Sequence, residues 1–208
     1  MTLSDEVGTE HLSPQAEAIC AAGDIVLASE RLLLRPPRIE DAEPLAALAN
    51  DRRIAENTAR IPHPYTRADA ETFIATVTAP SSKETVFVAT LPDGDVLGVC
   101  GFGGPNADAP ELGYWFGAPF WGQGYTTEAV RAVIDYAFTE SDHDLLLADA
   151  RVTNPASRRV LEKCGFQWTG VRLRRVRSLA SSVPVDQFRL KRRIWAALKN
   201  WGPMRRVV

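Results

Sequence analysis

A chain of 208 residues, 45% apolar and 24% charged, has the length and composition of one compact domain able to bury its own core. Its 24 basic and 26 acidic side chains leave a formal net charge of −2, which gives no footing for counterion-release binding to nucleic acid. Cys20, Cys100 and Cys164 are odd in number, widely spaced and without histidines at ligand intervals, so neither a disulfide framework nor a metal site is expected.

Residues 1–28 are polar and then Ala-rich, with no clear period, and read as an N-terminal extension to a single domain over 29–208. Asp5, Glu6 and Glu10 stand where a secretory leader would carry basic residues, and no run of about eighteen apolar residues occurs. No membrane contact is expected, and the reducing cytoplasm is the expected compartment. From Arg31, RLLLR predicts a strand ended by Pro36 and Pro37, and IEDAEPLAALAN, acidic early and apolar at helical spacing, predicts a helix. ENTARIPHPY is a Pro-rich loop. Thr66 and Asp69 form a capping-box pair that opens a helix through Phe73, Ile74 and Val77, stopped by Pro80. TVFVATL and DVLGVCGFG flank Pro92-Asp93-Gly94 and predict a hairpin.

Glu111–Phe116 predicts another strand. After a glycine-rich break, Thr127–Phe138 sets Ala129, Val130, Val133, Ile134, Ala137 and Phe138 on one helical face. Leu145–Val152 predicts a strand, Asn154 and Pro155 an N-cap and first turn, and Gly165 the end of that helix. Phe166–Ser178 and Val185–Leu190 predict a last strand pair, and Ile194–Trp201 a short terminal helix. The chemistry concentrates in FWGQGYTTEAV, between strand and helix. Gly122 and Gly124 let backbone N–H groups approach an anion at the positive end of the helix dipole, and Thr126 or Thr127 can add a hydroxyl. Alone, two such glycines are more often a plain turn. The Lys-Ser/Thr of a P-loop and the third glycine of GxGxxG are both missing.

The second half decides between these readings. WGQGYTTEAV followed, one strand later, by NPASRRVLEKCGF resembles the GNAT superfamily of N-acetyltransferases, and within it the RimJ and RimL branch. ERLLLRPPRIEDAEPLA, ELGYWF and DQFRLKRRIW extend the resemblance over about residues 29–196. It implies an α/β (α+β) GNAT fold, a mixed, mostly antiparallel sheet flanked by helices and splayed between the fourth and fifth predicted strands, Glu111–Phe116 and Leu145–Val152. It implies acetyl-CoA as cofactor, its pyrophosphate held by Trp121, Gly122, Gln123, Gly124, Tyr125, Thr126 and Thr127. Thr126 departs from the Gly or Ala usual at the end of the family's pattern. Backbone groups near Trp115 and Phe116 would bond the pantetheine arm, Asn154 would line the slot opposite, Ser157 would lie near the sulfur, and Arg159 would join the cofactor-binding set.

The implied reaction is direct attack of a primary amine, at a protein N-terminus or on a small molecule, in a ternary complex. An α-amine near pKa 8 is appreciably neutral at pH 7, whereas a lysine near 10.4 must give up about three units, or ~4 kcal/mol. A thiol near 8.5 leaves with little acid assistance. Many relatives carry a tyrosine four residues before the glycine of the Gly-Phe pair, where this chain has Leu161. Ser157 is the substitute donor, or a plain first-turn serine. Glu111, by alternation on the face of Gly113 and Trp115, is either a base acting through water or an ion-pair partner. Asp149, sharing a face with Arg151, is expected in an ion pair. For the acceptor the resemblance points to Asn57, Arg60, His63 and Tyr65. Arg172, Arg174, Arg175 and Arg177 signal either an acidic acceptor, the adenosine phosphate, or a solvated sheet edge. The oligomeric expectation is a monomer or homodimer. Two other classes compete: a non-catalytic acyl-CoA sensor, given the missing tyrosine and lack of a clear base, and a nucleotide-using phosphate binder.

Overall fold

Residues 25–106 and 108–199, with the backbone of 205–207, are described by a computed structural model. Most of the expected extension, residues 1–24, therefore lies outside the described residues, as do Cys20 and the end of the terminal helix expected to reach Trp201. The described strands are β1 (Val26–Ala28), β2 (Leu33–Arg35), β3 (Glu84–Thr90), β4 (Val96–Gly103), β5 (Glu111–Phe116), β6 (Leu145–Arg151), β7 (Gln167–Val176), β8 (Ser181–Lys191) and β9 (Arg205–Val207). The α-helices are α1 (Ala42–Ala49), α2 (Arg52–Ala55), α3 (Arg67–Thr78), α4 (Tyr125–Thr139), α5 (Pro155–Lys163) and α6 (Arg192–Leu198).

The strands form one sheet in the order β7-β8-β6-β5-β4-β3-β2-β1-β9, antiparallel at every junction except β5–β6. Hydrophobic faces explain its two layers. On one side, α4 buries Ala129, Val130, Val133, Ile134, Ala137 and Phe138, all at most 1% exposed, against β4–β6 together with Leu161 of α5. Cutting Ile134 back to alanine would cost about 2–5 kcal/mol. On the other side, Leu45 and Ala49 of α1 and Ile74 of α3 pack with Val88 and Val99. No helix among the described residues is long and apolar enough to cross a membrane.

Local chemistry sets the element ends. The Thr66 hydroxyl accepts from Asp69 N–H at 3.2 Å while Asp69 accepts from Thr66 N–H at 3.0 Å, and Ala79, held extended by the proline after it, ends α3. Helix α5 starts with Asn154 accepting from Ser157 N–H at 3.1 Å. It stops where Gly165 N–H bonds Glu162 O and Phe166 N–H bonds Leu161 O, both at 3.0 Å, with Gly165 at φ +84°. Two elements depart from the sequence expectation. Val26–Ala28, assigned to the extension, is sheet strand β1, with Val26 and Leu27 fully buried. Helix α2, capped by Asp51 accepting from Arg53 N–H at 2.8 Å, precedes the Pro-rich loop.

Candidate active site

The parallel contact between β5 and β6 covers only Glu111↔Leu147 and Leu112↔Ala148, after which the strands part. Direction along β5 follows from two bonds. Pro110 O accepts from Leu147 N–H on the β6 side at 2.9 Å, whereas Gly117 N–H turns to Leu97 O on the β4 side at 2.8 Å. Counting by twos, Leu112, Tyr114 and Phe116 turn their backbone groups toward β6, and beyond Leu112 no strand meets them. Phe116 O instead accepts from Trp121 Nε1 at 2.7 Å. The open groups are therefore those of Tyr114 and the amide of Phe116. Trp115 and Phe116 both line the cleft, but the Trp115 backbone pairs with β4, opposite Val99, and its side chain packs against the α1/α3 cluster, so the open backbone near them belongs to Tyr114 and Phe116.

Beside this gap the chain turns into α4 through Gly122 at φ +77° and Gly124 at φ +87°, a region that side chains with a Cβ rarely enter. Gly124 is the N-cap, no side chain caps the helix, and the first backbone bond is Glu128 N–H to Gly124 O at 3.1 Å. The amides of Tyr125, Thr126 and Thr127 thus have no intrahelical acceptor and sit at the positive end of a 15-residue helix. Arg31 clamps this loop. Its guanidinium binds Glu128 at 2.7 Å and Gln123 O at 3.0 Å and lies 4.4 Å from the centre of the Tyr125 ring, and the Arg31 backbone N–H donates to Glu128 at 2.7 Å. Sequence reading singled out neither Arg31 nor Glu128, because their partnership spans 97 residues.

Gap and loop open on a cleft of about 900 Å³. Trp121, Gly122, Gly124, Thr126 and Thr127 line one part of it, with Asn154, Ser157 and Arg159 across from them. Gln123 and Tyr125 contribute no lining: the Gln123 amide folds back to Pro119 O at 2.9 Å, and the Tyr125 ring is covered by Arg31. Asn57, Arg60 and Tyr65 line the opposite part, whereas exposed His63 does not, since it caps the outward bend between Ile61 and Tyr65, both of which turn inward. Asn57 donates to Arg53 O at 2.7 Å, and Arg60 grips Glu84 through two bonds of 2.7 and 3.0 Å.

At the meeting point of the two halves lies a pair of hydroxyls. Ser157 Oγ is 2.9 Å from the Tyr114 hydroxyl, which also donates to Ser157 O at 3.1 Å. Burial pushes the Tyr114 phenol up, with the Ser157 hydrogen bond opposing, so near neutral pH Tyr114 remains a proton donor. The phenol beside Ser157 is thus supplied by β5, not by α5. Leu161 fills the helix position as a fully buried core residue. The available signal was the alternation in ELGYWF, which puts Tyr114 on the α4/α5 face.

Glu111 does not stand free as a base. Its carboxylate accepts from Arg174 Nη1 and from Arg172 Nη2 at 3.4 Å, while Asp149 accepts from Arg172 at 2.5 Å and Arg174 at 2.7 Å. Burial alone would weaken the Arg174 charge, but the two carboxylates outweigh it and hold the guanidinium above its ordinary range. Asp149 is in an ion pair, as expected, but Arg151 is not the partner: its Nη1 donates to Glu56 O at 2.8 Å. That bond from β6, with Arg177 N–H to Ala59 O at 3.0 Å and Ser178 Oγ to Ala55 O at 2.9 Å from the β7–β8 turn, ties both to the end of α2 and the loop after it, along one side of the cleft. Burial pushes the Cys164 thiol up to about 12 and raises Cys100 as well, so neither is a ready nucleophile.

The acetyltransferase (GNAT) domain family matches residues 31–167. The uncharacterized N-acetyltransferase p20 of Bacillus licheniformis is 26% identical over 174 residues, covering 82% of this chain and 98% of that protein. The putative ribosomal N-acetyltransferase YdaF of Bacillus subtilis is 30% identical over 149 residues, covering 66% of this chain and 79% of that one. Mycobacterium smegmatis RimJ, solved with a CoA disulfide, shares the fold at TM-score 0.69 and 20% identity, over 85% of this chain and 93% of its own. With the family matched across the strand, the loop and the helices that build the cleft, the chain belongs to the GNAT acetyltransferases.

Proposed function

We propose that this protein acetylates a primary amine, a protein N-terminus or a free small-molecule amine, using acetyl-CoA in a ternary complex. The parting of β5 from β6 beside an uncapped helix start carries this reading, because it provides a slot for a thioester arm next to amides for a diphosphate. The residues present fit that group. The amides of Tyr125–Thr127, with Thr126 and Thr127 hydroxyls, would hold the pyrophosphate, and the backbone of Tyr114 and Phe116 the pantetheine amides. Arg159, exposed on the cleft wall, would face the phosphates. Acetyl-CoA supplies the activated acyl group.

The chain's own contribution is donor placement. Asn154 holds the Ser157 amide and Tyr114 holds the Ser157 hydroxyl, which sets a hydroxyl pair beside the gap to assist a departing thiolate that needs only weak acid help. The arrangement favours catalysis over a silent sensor, and the buried thiols argue for direct attack over an acyl-cysteine route. A neutral α-amine needs no strong base, which suits a site whose Glu111 is already engaged. Free Cys100 and Cys164 suit a reducing cytoplasm. Calorimetric titration with acetyl-CoA, followed by thiol release across a panel of amines, tests the reading. Absence of acetyl-CoA binding would refute it.

A further inference from the structure

Beside the cleft, at the tip of the β7–β8 hairpin, lies a basin of about 530 Å³ lined by Ala59, Arg60, Arg174, Arg175, Arg177 and Ala180. It shares Ala59, Arg60 and Arg174 with the cleft and contains no residue of Trp121–Thr127 or of α5. It thus opens on the acceptor half, away from the residues that would hold the cofactor's phosphates.

Four guanidiniums converge there in a protein whose formal charge is −2. Two are matched internally, Arg60 by Glu84 and Arg174 by Asp149 and Glu111. Arg175 and Arg177 are exposed and have no carboxylate within ion-pair distance among the described residues. The Arg177 charge is felt at Tyr65 and Asp69, on the acceptor side. β7 is an edge strand with Arg172 and Arg175 exposed, as a solvated sheet edge would have them. Arg174, Arg175 and Arg177 also gather toward the turn, around a concavity beside the Arg177–Ala59 backbone bond. Low-dielectric walls focus their field, and planar guanidiniums pair bidentately with phosphate or carboxylate.

We infer that the acceptor amine carries an anion, a phosphate or one or more carboxylates, which docks on Arg175 and Arg177 while the amine enters the cleft. This rests on the acetyltransferase reading above. The two sources, a phosphorylated small amine and an acidic peptide N-terminus, share this chemistry.

The test compares matched acceptors, O-phosphoethanolamine against ethanolamine and the peptide Ala-Glu-Glu against Ala-Gln-Gln, with wild type and the double variant Arg175→Gln/Arg177→Gln. Within at least one pair the anionic member is expected to show a kcat/KM about tenfold or more higher at low salt, falling as salt is added. Which pair shows it identifies the source. The double variant should lose that preference while keeping its melting temperature, its CoA affinity and its rate with the neutral amine. Equal turnover of both members, or a preference that survives in the variant, overturns the inference. If CoA binds but no amine in the panel reacts, tripolyphosphate titrated into CoA-saturated protein decides: about tenfold weaker binding in the variant supports the basin, and equal binding overturns it. Failure of acetyl-CoA to bind at all would instead condemn the acetyltransferase reading, and the tripolyphosphate comparison would still judge the basin.

Discussion

Replacing Glu111 with glutamine separates a base from a structural ion partner. The carboxylate is engaged by Arg174 and Arg172, and its side chain is 34% exposed. Asp149, only 10% exposed, also holds both arginines, Arg172 at 2.5 Å and Arg174 at 2.7 Å. Loss of the Glu111 charge therefore leaves Arg174 still paired, and the cost should be about 1 kcal/mol, toward the upper end for partly exposed pairs. In a chain of this size that lowers Tm by about 2–4 °C. Asp149→Asn, which strips the buried centre of the cluster, should cost about 3 kcal/mol or more. If Glu111 only organises Arg174, kcat/KM in the glutamine variant should stay within about threefold of wild type, as no proton-transfer contribution is removed. Thiol-release kinetics against pH, with melting curves on the same samples, are the assay. A fall in kcat of about a hundredfold or more with an unchanged Tm would refute the reasoning and restore Glu111 as the base.

Ser157→Ala and Tyr114→Phe should each lower kcat about tenfold or more, with little change in acetyl-CoA affinity, because each removes one half of the same hydroxyl pair; a double variant no worse than either single would confirm their interdependence, and full additivity would contradict it. Gly124→Ala forces a Cβ into φ +87° and within 3.2 Å of Arg31 Nη2, so about 1–2 kcal/mol of stability and about tenfold in CoA affinity should go together in calorimetry; wild-type affinity would clear the loop of its assigned role. Tyr65 is pushed up to about 12, first by burial and then by Asp69, with Arg177 opposing. A raised phenol stabilises the fold below its unfolded value near 10, and that contribution, about 2–3 kcal/mol, drains away as pH climbs from about 10 to about 12. Urea midpoints measured between about pH 9 and about pH 11 should fall less steeply in Tyr65→Phe than in wild type; parallel slopes would show that Tyr65 does not titrate in this way.

Elements whose signals are local were legible from the sequence. The Thr66–Asp69 box, the Pro92-Asp93-Gly94 hairpin and the Asn154-to-Gly165 helix each announce themselves within a few residues, and each is found. Strand β1 was not legible, since three residues are too few to show alternation, nor was α2, a single turn. The glycines and helix start of the cleft could be read because backbone chemistry depends on sequence neighbours. The partners that finish it could not. Arg31 meets Glu128, Tyr114 meets Ser157 and Arg174 meets Glu111 across 97, 43 and 63 residues, and only the fold closes such distances. His63 shows the converse: a reactive side chain in the expected loop, turned outward by the path of the chain around it.

The three bonds that join the β7–β8 turn and Arg151 to the segment Ala55–Ala59 make one wall of the cleft a span rather than an open edge. A span admits what is slender and excludes what is broad. With the acceptor entering the cleft as proposed, a chain end or a small free molecule could be threaded beneath it, while a lysine displayed midway along a folded surface would have to wait for the span to part.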